Sequence, residues 1–99
     1  MTRHRFYVGT QTKRGNPVLP ETWQEIEHNL TRIFAGFTRY DGIGAWQDDV
    51  GQVISERCRI YEILTETHGD HAATAQWIRD MANQSAVLYT HEEVHGQFV

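Results

Sequence analysis

The stretch from Gly36 to Glu66 constrains the fold most. It reads as two extended segments joined by Asp48-Asp49-Val50-Gly51, residues whose side chains and backbone freedom favour a tight reversal. Val53 to Thr65 is rich in β-branched and aromatic residues, so a β-hairpin is predicted here. Alternate side chains of a strand share a face. One face then carries Ile54, Glu56, Cys58, Ile60, Glu62 and Leu64; the other carries Val53, Ser55, Arg57, Arg59, Tyr61 and Ile63. Glu56 therefore shares a surface with apolar neighbours. A carboxylate in that position is either solvated at a rim or partly buried and matched by a partner.

The flanking segments supply the remaining elements. Arg5 to Thr12 reads as a first strand, with Phe6, Val8 and Thr10 on one side and Tyr7, Gly9 and Gln11 on the other. Gly9 marks a point where another backbone or a ligand comes close. A helix is predicted from Pro20, whose fixed φ suits a first turn. Trp23, Ile26, Leu30, Ile33 and Phe34 form its apolar stripe, and Gly36 is its expected cap. A second helix is predicted over His71 to Gln84, capped by Asp70, with Ala75, Ile78, Met81 and Ala82 facing inward and Trp77 at the border. Ser85 to Glu93 reads as a last strand.

The order β-α-β-β-α-β, with right-handed crossovers, predicts an α+β, ferredoxin-like fold. It is a four-stranded antiparallel sheet with two helices on one face, formed by residues 1–99 as a single domain. Tyr7, Arg57, Arg59 and Tyr61 are assigned to the open face or to an interface between subunits, and Cys58 to the inward face. A bare sheet face of this size implies assembly into an oligomer.

Composition excludes several functions. A net charge of −4 argues against nucleic-acid binding, which needs clustered Lys and Arg to neutralise phosphates. No apolar run reaches membrane-spanning length. The lone cysteine, Cys58, has no intrachain disulfide partner, which fits a reducing, cytoplasmic setting. His91-x-x-x-His95 and His68-x-x-His71 have spacings found in zinc sites, but a strand does not bring positions i and i+4 together, so no metal is expected. Gly42-x-Gly44 is not followed by a helix start, which rules out a phosphate loop. No cofactor is implied.

Phe6-Tyr7-Val8, the glycine-x-aromatic run Gly44-Ala45-Trp46, Glu56 ten residues after that aromatic, and Gln84 to Tyr89 together resemble the bacteriophage S-adenosylmethionine (SAM) lyases, also called SAM hydrolases. The likeness extends over most of the chain. It implies a ferredoxin-like subunit in a homotrimer with active sites between subunits. The implied reaction turns SAM into 5′-methylthioadenosine and homoserine lactone, the substrate's own carboxylate displacing the thioether. Glu56 matches the family's glutamate, whereas Trp46 stands where the family has a tyrosine.

The resemblance makes Glu56 and Trp46 the candidate catalytic residues, with Tyr7 and Glu92 as substrate contacts. Glu56 would hold the substrate's α-ammonium, Trp46 or Tyr7 would lie over the adenine or the sulfonium, and Glu92 or Glu93 would accept from the ribose hydroxyls. The competing readings are an ion pair of Glu56 with Arg57, Arg59 or a base on a neighbouring strand, a packing role for Trp46 and Tyr7, and solvated charges for Glu92 and Glu93. At the level of the whole protein, the alternatives are a non-catalytic phage-type anti-defence or small-molecule-binding module, and a ferredoxin-like protein whose open face serves only assembly.

Overall fold

A computed structural model describes all 99 residues. The hairpin forms from β2 (Thr38–Gln47) and β3 (Val53–Thr65). Asp48 closes its turn: Oδ1 accepts from the backbone N–H of Val50 and of Gln52, and Gly51 takes a φ of +83°. With β1 (Thr2–Gly9), α1 (Pro20–Phe34), α2 (Ala72–Met81) and β4 (Leu88–Glu93), the order is β-α-β-β-α-β. The strands are antiparallel in the order β2-β3-β1-β4, the α+β ferredoxin-like arrangement.

Phe6, Val8, Tyr61 and Ile63 of the sheet meet Trp23, Ile26 and Leu30 of α1 and Ala75 and Ile78 of α2 in one core. Each fully buried side chain of the Ile, Leu or Phe kind contributes about 1.5–3 kcal/mol. The register sets the faces: Phe6 pairs with Tyr61 and with Tyr89, and Val8 with Arg59. Tyr61 and Arg59 therefore lie on the helix side, contrary to the open-face assignment, and Cys58 lies on the open side. Strand β3 carries apolar residues on both faces, so alternation groups its residues but does not choose the side. Helix α1 makes the choice. Glu27 Oε2 accepts from Tyr61 Oη at 3.0 Å and from Arg59 Nη1 at 2.9 Å, while the Arg59 guanidinium sits 4.3 Å from the Trp23 ring centre. Burial and the Glu27 charge push the Tyr61 phenol far up, so it stays a donor.

Element ends differ from expectation in places that matter. β1 starts at Thr2 and buries His4 completely. His4 Nδ1 lies 2.8 Å from Tyr89 Oη, which itself accepts from the His71 N–H at 2.8 Å; His4 Nε2 lies 3.0 Å from Thr65 Oγ1, which donates to the Thr67 carbonyl. This chain of donors is satisfied by a neutral imidazole protonated on Nε2. Ile33 is 51% exposed, because Phe34 makes the inward contact of the last α1 turn, edge-on to His71. Ala35, not Gly36, adopts the left-handed conformation that ends α1, with φ of 66°.

Helix α2 stops at Met81, three residues before the expected end. Asn83 turns left-handed at φ of 50°, its N–H reaches the Asp80 carbonyl, and the Gln84 N–H reaches the Arg79 carbonyl. This is a Schellman ending with Asn in the place glycine usually takes. Met81 is turned outward and Ala82 fills the core position. The helix starts at Ala72 with His71 in the N-cap position, so Asp70, whose Oδ1 accepts from the Ala72 N–H, lies one residue ahead of the cap expected of it.

Candidate active site

Beyond Gly9 the chain leaves the sheet. Thr10 N–H reaches the Arg57 carbonyl, Lys13 N–H reaches the Asn83 carbonyl, and Thr12 to Asn16 closes a small turn with Gly15 at φ of +84°. The loop and the segment after Asn83 rise beside the open sheet face and enclose a cleft of about 800 Å³. Strand β1 contributes Tyr7 and Gly9, β2 Gly44 to Trp46, and β3 Ile54 and Glu56 to Cys58; Gln84 to Ala86 and Leu88 close the far side.

Glycines flatten the cleft. Gly9 pairs with Cys58, which pairs with Gly42, and Glu56 pairs with Gly44. These positions share the open face. Nothing lies nearer than 4.0 Å to where a Gly44 Cβ would stand. At Gly9 the close approach expected from sequence is real but comes from side chains: a Cβ there would meet Glu56 Oε1 at 2.5 Å and Gln84 Oε1 at 2.6 Å.

Glu56 is half-buried and accepts a single hydrogen bond, from the Gln11 N–H at 3.0 Å. It pairs with no cation, so the ion pair with Arg57 or Arg59 does not form; Arg59 belongs to Glu27 on the other face. Other glutamates of the sheet are engaged. Glu62 accepts from Arg5 Nε at 2.9 Å, Glu92 lies 3.7 Å from Arg3 and 3.8 Å from Arg5, and Glu93 accepts from Thr2 and pairs with His68. Among the glutamates of the sheet, Glu56 is the one without a cation.

The structure thus brings Glu56, Trp46 and Tyr7 to one cleft and leaves Glu92 outside it, among the arginines at the other end of β4. Trp46 is 48% exposed at the cleft. Cys58 also lines the cleft, and burial pushes its thiol up, so it remains protonated and a poor nucleophile. No three His, Cys, Asp or Glu side chains gather in a way that would hold a metal ion.

By sequence alone, Gln84 reads as the last residue of a helix and the first of the Gln84-to-Tyr89 motif, with no part in the site. Its Nε2 donates to the Gln11 carbonyl at 2.7 Å and the Ala82 carbonyl at 3.1 Å, and its Oε1 faces Gly9. The signal lay in Asn83, a residue that tolerates the left-handed conformation and so ends helices.

Residues 3–98 match the model of a family described as a protein of unknown function, DUF3574. The chain belongs to this family. Among solved structures, it is similar to a phage SAM lyase in complex with S-methyl-5′-thioadenosine, at 14% identity and a TM-score of 0.70, with 93% of this chain and 80% of that chain covered. It is likewise similar to a phage SAM lyase in the apo state, at 14% identity and a TM-score of 0.65, with 92% and 78% covered. No curated protein matches. At this identity the likeness shows that the fold is shared. No helix is long and apolar enough to cross a membrane.

Proposed function

We propose that this DUF3574 protein is a SAM lyase. The observation that carries the reading is a carboxylate without a cation, Glu56, in a large open-face cleft, on the fold that phage SAM lyases have. Glu56 holds the α-ammonium of the substrate by a charge-assisted hydrogen bond. The carboxylate of the methionine tail then attacks its own γ-carbon. A C–O bond forms, the C–S bond breaks with its electron pair going to sulfur, and 5′-methylthioadenosine leaves homoserine lactone behind. Charge is neutralised along this path, and no proton has to move. The enzyme's task is therefore to fold the tail into attack geometry and remove water from it.

Trp46 and Tyr7 offer ring faces to the sulfonium or the adenine, an attraction of about 0.5–2 kcal/mol for a cation over an aromatic ring. Trp46 has no hydroxyl, so a phenolic hydrogen bond is absent from this site. The half-open cleft and the uncovered sheet face support a homotrimer in which a neighbouring copy closes each site. Glu92, engaged within its own chain, would reach substrate only from such a neighbour.

Incubating the protein with SAM and separating products by chromatography tests the activity. Methylthioadenosine and homoserine lactone are expected in equal amounts; none above a heat-killed control overturns it. Trp46 in place of a tyrosine favours a second reading, a non-catalytic module that sequesters an adenosine compound. Calorimetric binding of SAM without turnover would select it.

A further inference from the structure

Gln84 enters the cleft with its amide orientation fixed. Both Nε2 hydrogens are used, on the carbonyls of Gln11 and Ala82, so the atom facing Gly9 is the acceptor Oε1. Gln84 is only 7% exposed, and its Oε1, which reaches the cleft surface, receives no donor from the chain. Glu56 Oε1 arrives at the same place from β3: the two oxygens lie 2.5 and 2.6 Å from the point where a Gly9 Cβ would stand. Two acceptors, one of them charged, thus converge beside a residue with no side chain. One donor group with two or more N–H bonds can reach both.

We propose that Gly9, Glu56 and Gln84 form a seat for a primary ammonium, and that Gln84 is the residue that makes the seat specific. The hydrogens of an ammonium diverge, so two of them can reach oxygens on two different side chains. A guanidinium instead directs its parallel N–H groups at both oxygens of one carboxylate. A tertiary or quaternary amine satisfies Glu56 by charge but has too few N–H groups to reach Gln84 Oε1 as well. Glu56 attracts the positive charge and Gln84 counts the hydrogens. The identity of the ligand rests on the SAM reading, in which the seated group is the α-ammonium; the seat itself does not.

The test is an NMR titration of the full chain with methionine and, separately, with its N,N,N-trimethyl derivative. It is paired with calorimetry of SAM against S-methyl-5′-thioadenosine, which lacks the ammonium-bearing tail. Methionine is expected to shift the Gly9 backbone amide and the Gln84 side-chain amide, and the trimethyl derivative to leave both in place. SAM is expected to bind at least tenfold more tightly than S-methyl-5′-thioadenosine, and Gly9→Ala, whose Cβ fills the seat, to remove that preference while the melting curve shows a folded protein. Equal shifts from both methionines, or none from either, overturn the seat. If SAM fails to bind while the methionines are still told apart, the seat stands and the SAM reading falls. If SAM is bound and turned over with no discrimination between the methionines, the reverse holds.

Discussion

Glu27 and Glu56 sit on opposite sides of the same sheet, and their surroundings are opposite in kind. Glu27, on α1, collects Arg59, Tyr61 and, at 3.4 Å, Arg39, and ties the helix to the strands beneath it. Glu56, on the open face, has the Gln11 N–H alone. Both are half-buried glutamates. A carboxylate saturated by donors within its own chain holds the fold together and has little left for a ligand. One that is poorly matched adds little to stability and attracts whatever cation the cleft admits.

Four experiments press on that contrast. The largest effect belongs to Glu56→Gln. The amide keeps an oxygen for the Gln11 N–H, so the melting curve should barely move, while SAM turnover falls at least 100-fold; a large loss of stability would make Glu56 structural instead. Glu27→Ala should do the reverse. It leaves the Tyr61 hydroxyl and Arg59 unmatched, at a cost of about 2–3 kcal/mol. That corresponds to roughly 10–20 °C in Tm for a domain of this size, read by calorimetry or circular dichroism.

Gly44→Val probes the open face without touching a charge. Its Cβ meets nothing nearer than 4.0 Å, and a β-branched residue suits a strand. Stability should be unchanged, whereas binding of SAM should weaken about tenfold or more by calorimetry because the added methyl groups stand in the cleft; unchanged binding would place the ligand elsewhere. A smaller effect is expected on the helix side from acid. Burial, with His71 and His91 nearby, lowers the His4 pKa below its ordinary 6.5. As pH falls below about 6.5 the unfolded chain takes up a proton that the folded chain refuses. Stability is therefore full above that value and declines between it and the lowered folded-state pKa. Urea midpoints at pH 7.5 and 5.5 should show the decline, and His4→Gln should reduce it.

How much of this was legible in sequence depended on how local each cause was. The hairpin was legible because Asp48 and Gly51 make its turn from their own chemistry, and the α1 start because Pro20 presets it. The end of α2 was not legible: Asn83 takes a left-handed conformation that only the Schellman hydrogen bonds reveal, and the role of Gln84 in the cleft follows from that ending. Ile33 and Met81 fell on the apolar stripes by spacing, yet the core had room for Phe34 and Ala82 in their stead. Of the candidate site, Glu56, Trp46 and Tyr7 converge on one cleft, while Glu92 goes to Arg3 and Arg5.

The sequence by itself determined the strands, the helices and their order, because periodicity, turn residues and β-branched runs act over a few neighbours. Which side of β3 the helices cover, and hence which glutamate is left free, was decided only in three dimensions. With apolar residues on both faces of that strand, the choice rests on Trp23 and Glu27 arriving from a helix some thirty residues earlier in the chain. Cross-strand register and helix docking are long-range facts, and alternation along one strand carries no information about them.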